Sequence, residues 1–143
     1  MIDRESIVAR LAKLRENVHN LKQLQSYSFE EFSGNFMIYN AAEHILQTSI
    51  ECILDIGNHI ISGLGLKRSE SYSGIVAILG QEGIIPHDFC HKLEGMAGFR
   101  NILVNEYLTV DLQIVYEVLR YRLSDFQTFA EQICAFLRRN CKM

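Results

Sequence analysis

Residues 41–66 read AAEHILQTSIECILDIGNHIISGLGL. Their apolar positions recur with the period of an amphipathic helix. At about 100° per residue, with His44 at zero, Thr48, Glu51, Asp55, Asn58 and Ser62 all fall within about 40° of it. Ile45, Leu46, Ile50, Ile53, Leu54, Ile56, Ile60 and Ile61 fill the other side. The same period runs outward in both directions. Upstream, Ile7, Val8, Leu11, Leu14, Val18 and Leu21 stripe a first helix over about Asp3 to Gln25. Ser28 and Glu31 have capping-box spacing and open a long second helix that closes at Gly63 and Gly65. Downstream, a short helix covers about Gly74 to Gln81 and stops at Gly83. Pro86 suits the first turn of a fourth helix reaching about Leu103. Asp111 caps a fifth, from Leu112 to about Arg139. The expected fold is all-α, an antiparallel bundle of about five helices forming one domain over residues 1–143.

Composition agrees. The chain has 143 residues, 48% apolar and 22% charged, with 9 glycines and one proline, which suits one domain with a real core. Disordered, collagen-like and turn-rich β-sandwich classes are excluded. A net charge of −3 gives no global basic field, although a local patch remains open. Cys52, Cys90, Cys134 and Cys141 form no CxxC pair and read as reduced thiols. The charged N-terminus has no signal-peptide core, and Glu51, Asp55, Asn58 and His59 interrupt the most apolar stretch. A cytoplasmic protein with no membrane span is expected.

Several constellations invite chemistry. The stripe from His44 through Glu51 and Asp55 to Asn58 is either a solvated face or the lining of a cleft or dimer interface. Glu43 sits on the apolar arc, at its rim or paired with a cation such as Arg100. His87 and His91 share a helix face and Cys90 adds a thiol, yet no third ligand is evident and no metal is expected. Gly63-Leu-Gly65-Leu-Lys67 lacks the phosphate-loop pattern, and helix termination explains it. No GxSxG or oriented Cys/His pair supports covalent hydrolysis. The clusters Lys67-Arg68 and Arg138-Arg139 with Lys142 lie beside helix ends, where they either offset the dipole or join Arg100, Arg120 and Arg122 in a phosphate-binding surface.

The segment Gly98-Phe-Arg100-Asn101-Ile-Leu-Val-Asn105-Glu-Tyr107 carries most. On a helix Arg100 and Tyr107 share a face, as do Asn101 and Asn105. A guanidinium, two amides and a phenol near a helix end can hold a phosphate diester, or can serve only as caps. RNILVNEYLTVD resembles the Arg-polar-x-x-x-His-x-Tyr signature of the HepT-like toxins of the HEPN superfamily. Residues 41–66, EGIIPHDFCHKLEGMAGFRN before the motif and VDLQIVYEVL after it extend the resemblance over nearly the whole chain. It implies a homodimeric bundle whose two motifs form one cleft. It further implies a metal-independent endoribonuclease toxin without cofactor, paired with an MNT nucleotidyltransferase antitoxin that transfers AMP to the motif tyrosine. By position Arg100 would bind the scissile phosphate, Asn101 would be the polar residue beside it, and Tyr107 would accept AMP. Apart from the resemblance, His44, Glu43, Glu51 and Asp55 stand as candidate cleft lining, the solvated face being the other reading.

Asn105 occupies the motif histidine's place. Cleavage without metal moves a proton off the attacking 2′-OH and one onto the leaving oxygen, which an imidazole does near neutral pH and an amide does not. No histidine lies downstream of Arg100. An impaired ribonuclease is therefore expected, either a natural inactive member or a near-isosteric His→Asn change made in an intact motif. The alternative is a HEPN dimer that binds nucleotide, RNA or an MNT partner without chemistry.

Overall fold

The computed structural model describes residues 1–104 and 110–140, and every regular element among them is a helix. They are α1 (Arg4–Leu24), α2 (Phe29–Ser33), α3 (Phe36–Gly63), α4 (Tyr72–Gln81), α5 (His87–Val104), α6 (Leu112–Tyr121) and α7 (Leu123–Asn140). No helix among the described residues is long and apolar enough to cross a membrane.

Two of the five expected helices are each split in two. Ser28 and Glu31 form the expected capping box, the Ser28 N–H donating to Glu31 Oε1 at 3.0 Å and the Glu31 N–H to Ser28 Oγ at 3.2 Å. That box starts only α2, which ends at Gly34; Asn35 turns extended and recaps the chain, its Oδ1 accepting from the Met37 N–H at 3.0 Å. Farther on, Arg122 leaves the helical region between α6 and α7. No glycine or proline marks that break, so the apolar period runs straight through it. Val8, expected on the buried stripe of α1, is instead 46% exposed, because its position about 100° from Ile7 carries it off the core face.

α3 is the central element, packing against α1, α2, α4, α5 and α6, while α1 also meets α7. Its 28 residues span about 42 Å. Leu46, Ile50, Ile56, Ile60 and Ile61 are fully buried, each contributing about 1.5–3 kcal/mol. Gly57 lets α4 approach, since a Cβ there would meet Ile75 Cγ2 at 2.6 Å. The helix ends in a Schellman motif: Gly65 takes φ +73°, its N–H donates to Ser62 O at 3.0 Å, and the Leu66 N–H donates to Ile61 O at 3.1 Å. The Met1 ammonium donates to Gly63 O at 2.7 Å, placing a cation at the negative end of α3.

Candidate functional site

Arg100 lies about one turn before the end of α5, half-buried against two other helices. Its guanidinium carbon stands 4.4 Å from the ring centroid of Tyr72, the first residue of α4. Its Nη2 is 3.7 Å from Glu51 Oε1 on α3. The face of the guanidinium is thus taken by the tyrosine, and the in-plane N–H groups are only loosely engaged. Nε is buried with no hydrogen-bond partner. Because an unmade bond at a buried N–H costs about 1–3 kcal/mol, such an atom is poised for an incoming acceptor.

Ser71 places Tyr72 by capping α4, accepting from the Gly74 N–H at 3.1 Å. Glu51 is held in turn by Gln47, whose Nε2 donates to Oε1 at 3.3 Å. Asn101 follows on α5 and is exposed, as are Gly95, Gly98 and Ile102. A Cβ at Gly95 or Gly98 would meet open space. Asn105 and Tyr107 lie outside the described residues.

The polar stripe of α3 divides. His44 is exposed. Thr48 is a structural member, accepting at Oγ1 from the buried Asn17 Nδ2 at 3.0 Å. Glu51 reaches Arg100, and Asp55 reaches Arg10 of α1, Nε to Oδ2 at 3.7 Å. Of the two places open to Glu43, the ion pair with Arg100 is not formed, since that cation goes to Glu51. Glu43 sits at the rim of the arc, and burial pushes its carboxyl above the ordinary value. Tyr72 and Arg10 are the residues that sequence patterns missed. Tyr72 follows a serine-rich loop and Arg10 is one of several surface cations, so neither carries a spacing signal.

Among the described residues no group of three His, Cys, Asp or Glu side chains is placed to hold a metal ion. Burial also pushes the Cys52 and Cys90 thiols up, which disfavours the nucleophilic thiolate. What the site offers is a planar, fixed cation beside a carboxylate, suited to binding and orienting an oxyanion.

A family model described as ribonuclease HepT-like matches residues 14–133. The chain is 28% identical over 129 residues to the mRNA nuclease HepT of Shewanella oneidensis, covering 90% of this chain and 96% of that one. It is 27% identical over 133 residues to the tRNA nuclease HepT of Aphanizomenon flos-aquae, covering 92% and 89%. Among solved structures, the tri-AMPylated Shewanella oneidensis HEPN toxin in complex with its MNT antitoxin superposes with a TM-score of 0.83. That match has 28% identity over 94% of this chain and 99% of that one. With its helical architecture shared and the family model spanning most of its length, the chain belongs to the ribonuclease HepT-like family of HEPN toxins.

Proposed function

We propose that this chain is an RNA endonuclease toxin of a HEPN/MNT pair, one domain throughout, working as a homodimer without metal or cofactor. The observation that carries this is Arg100, stacked on Tyr72 with Nε unpaired, in a chain that aligns with two HepT nucleases over 90% and 92% of its length. Arg100 binds the scissile phosphate and stabilises the charge that builds on it as the 2′-oxygen attacks and the 5′-oxygen leaves. Asn101 lines the cleft beside it, with Glu51 as the nearest carboxylate and His44, Glu43 and Asp55 farther along α3. The glycine-bare outer face of α5 supports a close approach of a second copy, which would bring the two motifs into one cleft.

Asn105 leaves the proton transfers unserved, so the protein as it stands is impaired. An MNT nucleotidyltransferase is the antitoxin, and AMP on Tyr107 sets a bulky anion in the phosphate cleft. The second reading, a dimer that binds RNA, nucleotide or the MNT partner without chemistry, is favoured by Asn105 itself.

Incubation with total tRNA and a structured RNA in EDTA separates the two. Cleavage by the Asn105→His form alone supports the nuclease and explains Asn105 as disabling. Cleavage by neither form favours the binding dimer, and cleavage by both assigns the base elsewhere, with His44 the first position to test.

A further inference from the structure

We infer that Arg10 builds a second phosphate subsite for an RNA strand, one helical turn along α3 from Arg100, with Asp55 as the resident anion that the strand displaces; this rests on the reading of Arg100 as the scissile-phosphate residue. The Arg100–Glu51 arrangement is repeated at Arg10–Asp55. Glu51 and Asp55 are four residues apart on one face of α3, and each meets an arginine from a flanking helix, α5 for one and α1 for the other. Both pairs stand at 3.7 Å, too far for a direct hydrogen bond. Both arginines bury an Nε with no hydrogen-bond partner, and at Arg10 it is the same Nε that stands 3.7 Å from Asp55. Among the described residues the third such buried atom is Asn58 Oδ1, one turn farther on the same stripe. Unsatisfied buried polar atoms are rare in folded proteins; the two Nε donors, on α1 and α5, flank the α3 stripe and call for an acceptor, whereas Asn58 Oδ1 is itself an acceptor and calls for a donor such as a ribose hydroxyl.

The spacing suits a nucleic acid strand. Four residues of helix advance about 6 Å, close to the separation of neighbouring phosphates in an extended strand. Arg10 Nη1 donates to the Ser6 carbonyl at 3.1 Å, which fixes the side chain while the rest of its fork stays free. The Asp55 side chain is 60% exposed and that of Arg10 35%, so the carboxylate can swing into solvent and uncover the Nε that it faces. Asp3, electrostatically coupled to Arg10, is the other carboxylate nearby. Past Asp55 the stripe enters a polar pocket of about 140 Å³ lined by Asn58, His59, Ser62 and Arg68, which gives the strand somewhere to continue.

The chain as it stands, with Asn105, is suited to measuring RNA affinity without turnover. Binding of a labelled single-stranded RNA oligonucleotide is followed by anisotropy across a salt series. Arg10→Gln is expected to weaken binding several-fold and to flatten the slope of log affinity against log salt by about 0.7, one phosphate contact. Arg10→Lys keeps the charge and recovers the slope but not the full affinity. Asp55→Asn tightens binding, because the displaced anion is gone; a purely structural ion pair would lose binding in that variant instead, and that result overturns the inference. Melting curves show whether each variant is folded. If Arg100→Ala loses affinity while Arg10→Gln keeps both affinity and slope, the second subsite is refuted and the first stands. If Arg100→Ala binds RNA like the parent, the underlying assignment of Arg100 fails.

Discussion

Arg122 closes on Asp125 with Nε at 2.6 Å and donates from Nη2 to the Lys92 carbonyl at 3.0 Å. Arg100 stands 3.7 Å from Glu51 and leaves Nε unmade. The Asp125 side chain is 9% exposed, and its pair braces the break between α6 and α7 against the end of α5's first turns. A guanidinium with its donors spent is a structural part. One stacked on a ring with its in-plane donors loose keeps capacity for an incoming anion, the role proposed for Arg100, and its burial alone would not have separated the two.

The largest test of that contrast is catalytic. Asn105→His is expected to raise RNA cleavage in EDTA by roughly 10²–10⁴-fold, the usual worth of a general acid or base. Adding Arg100→Ala should erase the gain, whereas Arg122→Lys in the same background should keep it. Gel analysis of tRNA fragments reads both. Retained cleavage without Arg100 would remove the distinction between the two arginines.

Stability should rank them the other way. Asp125→Ala is expected to lose about 2 kcal/mol in urea unfolding, less than a fully buried pair because Arg122 is partly exposed. Glu51→Ala should lose under about 1 kcal/mol, since its pair is loose and half-exposed. Equal losses would make Arg100 a second brace. A smaller effect isolates the tyrosine platform. Tyr72→Leu is expected to weaken RNA binding about fivefold through loss of the cation–π contact, while Tyr72→Phe, which keeps the ring, binds like the parent. In an Arg100→Ala background Tyr72→Leu should add nothing, and additive losses would show that Tyr72 does not act through the arginine.

The smallest effect concerns Glu43, the acid that Arg100 does not pair. Burial holds its carboxyl above the ordinary value of 4.5, so the folded chain keeps that proton more tightly than the unfolded one. Stability linked to it is complete at lower pH and declines as pH rises through the folded value. Glu43→Gln removes the decline. The variant should melt slightly higher than the parent at pH 7 and together with it at pH 4. A parent advantage at pH 7 would mean that Glu43 has a cationic partner after all.

Local rules made much of the fold legible. The 3.6-residue period of residues 41–66, the Ser28–Glu31 box, Gly65, Gly83 and Asp111 each specify a helix face or end through interactions within one turn. The motif from Arg100 to Tyr107 was legible as a resemblance to the family once its flanking segments were read with it, although Asn105 departs from the pattern. Local rules failed where distant parts decide. The break at Arg122 is fastened by Asp125 together with the Lys92 carbonyl, 30 residues away in sequence, and periodicity has no access to such a tie. The α3 stripe was ambiguous for the same reason. Whether Glu51 and Asp55 face water or arginines depends on α5 and α1 lying alongside. Sequence by itself thus determined the helices, most of their ends and the core faces, since these follow from short-range geometry and apolar burial, and it carried the family through a resemblance. Only the tertiary structure decided that Arg100 rests on Tyr72 and faces Glu51, and that Arg10 repeats the arrangement at Asp55. Those partners come from separate helices, and the packing of the shared core sets their separation.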